Sequence, residues 1–381
     1  MASAPSPVPA PVPAGARGTR IALYCPSLPP ARGGVADQTL MLARALAERG
    51  APVVVLGDSG DPALFEPVET VLGVSPSGRT HGLAELAVRA SAGAVLIQYV
   101  PFLFGRLGIA PSLVAAMRAL RRAGVRIAVF VHEPYVPFTR LVWWVTGWPM
   151  RLQFRAVVRL ADVVYAAVPD FLARARRVAR PATRLVAVPV GATIPVAAIT
   201  RAAARRSLGL AEAEIAVGVF CPRAAGALAG WLARAASRVE RVRWIFFGTG
   251  SERAPDGFPA AARAQCLGWM SAERASEVFR ALDLAAAPFA DGLTMRRTSA
   301  MAALAHGVPL VSSRGDLFDA DLAEAAVCAS SPDAFADAVG TLAGDPGMRA
   351  RQGRRGLDVY TSRASTAVLA ARVHQDLGVA A

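Results

Sequence analysis

The stretch from Leu282 to Ser312 constrains the fold more than any other part of this chain. A short apolar segment, Leu282 to Pro288, leads through a polar loop into helix-forming residues that end at Gly307 and Pro309, and a second apolar segment, Val308 to Ser312, follows. Two strand-length apolar runs joined through a helix make a β-α-β unit, and such units build parallel sheets covered by helices. The loop Asp291 to Ser299 then lies at the carboxyl end of a strand, where open α/β sheets bind ligands. Backbone N–H groups at the helix start, with Arg296 and Arg297 beside them, suit a phosphate or diphosphate. Asp291 suits hydroxyl groups instead, because a carboxylate accepts hydrogen bonds. Phosphate plus polyol points to a nucleotide sugar.

The same alternation extends along the chain. Arg20 to Cys25, Val53 to Leu56, Ala94 to Gln98, Val125 to Val131, Asp162 to Val168 and Leu185 to Val190 read as strands. Helices are expected over Val35 to Arg49, closed by Gly50, near 82–90 and 111–123, and over Leu152 to Leu160. A boundary is expected after Pro195, and a second series begins at Ile215 to Cys221 and continues through Trp244 to Gly248 and Ala264 to Leu267. Helices near 332–344, 346–358 and 363–377 close the chain. At 381 residues the chain is too long for one compact core. The fold class expected is α/β, two doubly wound Rossmann-like domains facing a cleft. Residues 19–195 are expected on the acceptor side of the cleft, residues 196–362 on the nucleotide-sugar side, and 363–381 as a C-terminal helix packing back toward the first domain.

Composition removes whole classes of function. All 42 basic residues are arginine, so a Walker A loop, a pyridoxal Schiff base and a protein-kinase strand lysine are each impossible. The net charge of +14 is spread over helices such as 118–126 and 172–180 without an aromatic ladder, which reads as solvated basic faces and no nucleic-acid partner. A weak attraction to anionic lipid or polyphosphate stays open. Mean hydropathy is +0.38, yet no apolar run reaches the roughly 18 residues a spanning helix needs. Cys25, Cys221, Cys266 and Cys328 form no Cys-x-x-Cys pair and read as free thiols. Residues 1–18, rich in Ala and Pro, lack the apolar core of an export signal, so a disordered tail and a cytoplasmic protein are expected.

Placed in order, five motifs resemble those of the retaining glycosyltransferases of the GT-B fold, family 4 (group 1), over about residues 20 to 375. They are Gly33-Gly34-Val35 after the first strand, His132-Glu133-Pro134-Tyr135 after the strand Val125 to Val131, Val188-Pro189-Val190-Gly191 at the end of the first domain, Phe247-Gly248-Thr249-Gly250-Ser251, and the loop at Asp291. The resemblance implies a nucleoside-diphosphate sugar donor, a hydroxyl acceptor and no cofactor. On it, Gly33, Gly34, Arg223, Gly248, Thr249, Gly250, Gly292, Leu293, Thr294, Arg296, Arg297 and Thr298 bind the donor. His132 and Asp291 are the catalytic candidates, and Glu133 and Tyr135 lie on the acceptor side. Arg223, Arg296 and the helix N-terminus would stabilise the departing diphosphate as its charge grows, and Asp291 would hold sugar hydroxyls. No metal ligand cluster is visible, and metal independence is expected.

The chain also departs from the family pattern. Typical members carry two glutamates eight residues apart, of which the second grips the ribose. Asp291 stands at the first, while Ser299 or Ala302 occupies the second, depending on the alignment. Typical members also pair an arginine with a following lysine after the first strand of the second domain. Arg223 is present, but Ala224 to Gly230 offers no cation, and Arg296 or Arg297 is the expected substitute. The Asp-Gly-x-Thr-x-Arg-Arg loop resembles that of a variant within the family. Two other classes of function stay open: a catalytically inactive partner of another transferase, and a nucleotide-sugar 2-epimerase. His306 reads as a helix-end residue, and His81 and His374 as surface residues. Trp143, Trp144 and Trp148 with Arg140 and Arg151 form either a membrane-facing or acceptor surface, peripheral at a membrane, or one side of a packed helix.

Overall fold

A computed structural model describes residues 20–31, 33–73, 82–136 and 141–378, with the backbone alone at 141, 142 and 222–224. The expected tail, His81 and Arg140 lie outside the described residues, and so does the side chain of Arg223. Contacts divide the chain into two compact units. One runs through Ala166 and includes Phe171–Val186 and the C-terminal stretch from Ala371, and the other comprises Ala167–Asp170 and Ala187–Ala370.

The first unit holds a seven-stranded sheet of β1 (Arg20–Tyr24), β2 (Val53–Gly57), β3 (Thr70–Leu72), β4 (Ala92–Tyr99), β5 (Arg126–Val131), β6 (Val163–Ala166) and β7 (Arg184–Ala187), in the order β3-β2-β1-β4-β5-β6-β7. Pairings from β3 through β6 are parallel. Strands such as β2 (VVVLG) are buried on both faces, hence their unbroken apolar character. The Gly34–Glu48 helix buries Leu42, Ala43 and Leu46, and Gly50, at φ +73°, turns the chain back. The Leu141–Leu160 helix starts well before Leu152, the expected start. Gly147 and Pro149 disfavour helix, yet Met150, Phe154, Val157 and Val158 on its inner face are buried and hold it through the proline. Within the same unit Asp376, on the Thr366–Leu377 helix, is buried against the Tyr165 hydroxyl (3.1 Å) and Arg184 (2.9 Å).

The second unit holds six strands, β8 (Ile215–Phe220), β9 (Val242–Phe247), β10 (Arg263–Cys266), β11 (Leu284–Ala287), β12 (Leu310–Ser313) and β13 (Val327–Ala329). Their order is β10-β9-β8-β11-β12-β13, all parallel. Side chains alternate between two cores, as the period of a strand requires. Ile245 and Phe247 pack with Phe279, Met301 and Leu304, whereas Trp244 and Phe246 pack with Leu232, Phe335 and Val339. Both sheets are doubly wound, and each reverses its strand order once: between β1 and β4, and between β8 and β11. The loops leaving those strands flank the crevices where this architecture binds ligands.

Candidate functional site

In the second unit the loop after β11 carries Asp291 to Arg297, and Thr298 is the first residue of the Thr298–Ala305 helix. Asp291 accepts hydrogen bonds from both arginines, one guanidinium on each carboxylate oxygen. All three side chains are three-quarters or more buried. The anion that two adjacent arginines require at a positive helix end is therefore supplied by the protein itself. The cluster keeps a net charge of +1, and no side chain caps the helix behind it, so its first backbone N–H groups remain donors. The Arg297 guanidinium also lies 4.6 Å from the Phe289 ring centroid.

The backbone makes this cluster rigid. Leu293 N–H donates to the Ser313 carbonyl (3.1 Å), Leu317 N–H to Asp291 (2.9 Å) and Asp319 N–H to Leu293 (2.9 Å). The Ser313 hydroxyl donates to the Phe289 carbonyl (2.6 Å) and accepts from Phe289 N–H (2.7 Å). Gly292 takes φ +92°, and a Cβ there would stand 2.7 Å from Gly315 N. Glycine is thus required at that position by both conformation and packing. Leu293 and Thr294 are fully buried, and the Thr294 hydroxyl and Arg297 Nε have no hydrogen-bond partner among the described residues. Burial lowers the Arg297 pKa from its usual range. Val190 N–H reaches the Met295 carbonyl at 3.4 Å, which brings the Val188 to Gly191 motif to the same loop.

The ends of β8 and β9 are the other walls of this edge. Cys221, which follows β8, is a non-glycine residue at φ +52°, and the turn Pro222–Leu228 is interrupted at Gly226 (φ 51°, ψ −122°). Unusual backbone concentrated at a strand end is a feature of functional turns. Arg223 lies in that turn. Gly248 (φ +81°) leaves no room for a side chain, since a Cβ would be 2.5 Å from the Phe220 ring. Thr249 is exposed, and Gly250 (φ +82°) borders an open concavity of about 650 Å³ that Gly226, Glu252, Arg253 and Asp256 also line.

In the first unit Gly33 precedes the Gly34–Glu48 helix with extended backbone (φ 167°). A Cβ at Gly33 or Gly34 would meet nothing within 4 Å, so neither packing nor conformation demands glycine there. His132 follows β5, its N–H bonded to the Tyr99 carbonyl (3.0 Å) and its ring stacked on Phe130 (4.4 Å). Its Nε2 pairs with Gln98 Oε1 (2.7 Å), and Gln98 Nε2 donates to Gln38 Oε1 (3.0 Å). With these amides as assigned, Nε2 carries the proton and Nδ1 the lone pair. The residue is half-buried, and burial pushes its pKa down to about 3. His132 is therefore a neutral hydrogen-bonding group near pH 7.

Gln38 and Gln98 escaped the sequence reading. The signal was a polar residue inside the otherwise apolar run Leu96-Ile97-Gln98-Tyr99. They come together because β1 and β4 are neighbours, and with His132 they span that reversal of strand order. Glu133 is exposed. The Tyr135 ring is occupied by packing, with the Arg151 guanidinium 4.3 Å from its centroid and Phe154 edge-on at 5.5 Å. His306 caps the C-terminus of the Thr298–Ala305 helix, its ring between the Ala302 carbonyl and the Ser276 hydroxyl, 2.7 Å from each. Among the described residues no group of three or more His, Cys, Asp or Glu side chains is placed to hold a metal ion, and no helix is long and apolar enough to cross a membrane.

Solved structures with this architecture include glycosyltransferases and UDP-N-acetylglucosamine 2-epimerases. A sucrose-phosphate synthase from Thermosynechococcus elongatus superposes with a TM-score of 0.68 at 18% identity, over 94% of this chain and 99% of that one. Anabaena HepE, solved in complex with UDP and glucose, gives 0.68 at 16% identity over 94% and 99%. WaaG, a glycosyltransferase involved in lipopolysaccharide biosynthesis, gives 0.66 at 12% over 94% and 100%. At identities this low the likeness establishes the GT-B fold alone. No curated protein matches the chain in sequence. Residues 33–191 match the glycosyl transferase 4-like domain and residues 215–345 the glycosyl transferases group 1. Together the two matches take in most of the chain, which carries a glycosyl transferase 4-like domain followed by a domain of the glycosyl transferases group 1.

Proposed function

We propose that the protein transfers a sugar from a nucleoside-diphosphate sugar to a hydroxyl acceptor with retention of anomeric configuration. The observation that carries this reading is the Asp291, Arg296 and Arg297 cluster, set rigidly at an uncapped helix N-terminus beside the β8/β11 reversal. Arg296, Arg297 and the first N–H groups of the helix hold the diphosphate, and Arg223, carried by the turn after β8, is assigned to the same anion. As the bond from the sugar to the diphosphate breaks, negative charge grows on the leaving group, and these fixed donors stabilise it. Each Asp291 oxygen has a lone pair beyond the one its arginine uses, which accepts a hydroxyl of the transferred sugar. Gly248, Thr249 and Gly250 form the adjoining turn, and Gly292, Leu293, Thr294 and Thr298 complete the donor loop. In the first unit, Gly33 and Gly34 have open space above them and are assigned to donor binding, and neutral His132 is assigned to hydrogen-bonding the sugar or acceptor. The cations proposed are arginines of the chain, and the reaction is expected to proceed without a divalent metal. HepE, observed with UDP and glucose, supports a donor of this chemical class.

The test is incubation with a panel of nucleoside-diphosphate sugars and hydroxyl acceptors, with the product examined by NMR. A glycoside with the anomeric configuration of the donor is expected. Inversion would refute the mechanism. Absence of both transfer and donor hydrolysis from a well-folded protein that still binds nucleoside diphosphate would favour the inactive partner, a reading motivated by the absence of a cation from Ala224 to Gly230. Release of an epimerised sugar without acceptor would assign the 2-epimerase instead.

A further inference from the structure

Among the described residues, six of the ten exposed large hydrophobic side chains come from two segments of the first unit: Phe102 and Leu107 after β4, and Trp144, Val145, Trp148 and Leu152 on the Leu141–Leu160 helix. The four helical residues are 54%, 75%, 60% and 66% exposed. At about 100° per residue they fall within one arc of roughly 100°, and Arg155 and Arg159 fall within the same arc. The opposite face, Met150, Gln153, Phe154 and Val157, is buried. Gln153 ties the two segments together, since its Oε1 accepts from Ala110 N–H (2.6 Å) and its Nε2 donates to the Gly108 carbonyl (3.1 Å).

An exposed apolar stripe of this size marks an interaction surface, and charge selects what it meets. Residues 101–160 contain nine arginines and a single acid, Glu133, so more than half of the net charge of +14 resides there. The helix itself has three arginines and no acid. Tryptophan and leucine interleaved with arginine on one face fit the boundary between lipid headgroups and acyl chains, where indole rings and apolar tips insert while guanidiniums meet phosphates. We propose that this face docks the protein on an anionic lipid bilayer, with Trp144, Trp148 and Leu152 inserted and Arg155 and Arg159 on the lipid phosphates. None of these residues belongs to the site described above, so the docking surface stands or falls independently of donor binding.

The experiment is co-sedimentation of the full chain with vesicles of phosphatidylcholine alone and of phosphatidylcholine mixed with phosphatidylglycerol, followed also by tryptophan fluorescence. Wild type is expected to bind the mixed vesicles, with a blue-shifted emission and an affinity that falls with salt. The variant Trp144→Ala/Trp148→Ala/Leu152→Ser should weaken binding by more than about tenfold. Arg155→Ala/Arg159→Ala should weaken it about tenfold and flatten the salt dependence. Circular dichroism melts and nucleoside-diphosphate binding of both variants should match wild type. Failure of wild type to sediment with anionic vesicles, or wild-type binding by the tryptophan variant, would overturn the proposal. A concentration-dependent dimer lost in the tryptophan variant would assign the face to a second copy of the chain instead.

Discussion

Because each Asp291 oxygen takes one guanidinium, replacing the acid and replacing the arginines have different outcomes. Arg297→Ala removes a charge-assisted donor and should weaken nucleoside-diphosphate binding by roughly 10- to 100-fold, from about 1.5–3 kcal/mol per such bond. Asp291→Asn removes the carboxylate that competes with diphosphate for the arginines. By calorimetry it should bind nucleoside diphosphate at least as tightly as wild type, while sugar transfer falls more than about tenfold through loss of the hydroxyl acceptor. Parallel losses of binding and transfer in Asp291→Asn would contradict that division. At His132 the folded pKa lies below the value of the unfolded chain, so the unfolded state binds the extra proton first. This contribution to stability is present above about pH 6.5 and is lost as pH falls toward 3. His306, also lowered by burial, acts in the same direction. Thermal melts of His132→Gln should therefore lose less stability between pH 6.5 and 4 than wild type, and an unchanged pH dependence would remove His132 from this role.

The glycines of the elements divide by physical cause. At Gly248 a positive φ and the Phe220 ring both forbid a side chain, so Gly248→Ala should destabilise the protein by about 1–3 kcal/mol in denaturant titration. At Gly33 the φ is extended and the space is open, so Gly33→Ala should leave stability within about 0.5 kcal/mol of wild type while transfer falls. Lost stability at Gly33 would make that glycine structural. Elements long enough to show a period were legible in the sequence, among them the Pro332–Gly344 and Pro346–Val359 helices. The strands β3 and β13, three residues each, are too short to display one, and the Ala272–Ala281 helix went unread although its Ser271 cap was visible. The donor loop was legible as a strand-to-helix turn with an acid and two arginines. Their mutual pairing was not, because separations of five and six residues across a loop follow no secondary-structure period.

For the whole molecule, two apolar-run series predicted two doubly wound sheets, and the seven- and six-stranded sheets follow that pattern. What the sequence could not supply was strand order, and strand order makes Gln38, Gln98 and His132 neighbours across separations of 60 and 34 residues. The same limit left Trp144 and Trp148 open between a membrane-facing or acceptor surface and the side of a packed helix, since only the burial of Met150 and Gln153 reveals which side of their helix remains outside. The two units meet different chemical demands, with the arginine cluster in one and the histidine-glutamine network in the other. The arginine cluster is the central assignment, and isothermal titration calorimetry of nucleoside diphosphates, with EDTA present, tests it directly. Wild type is expected to bind one nucleoside diphosphate and Arg296→Ala/Arg297→Ala to bind it about 100-fold more weakly, with both proteins folded by circular dichroism. Equal affinity in the two proteins would place the diphosphate elsewhere and contradict the assignment.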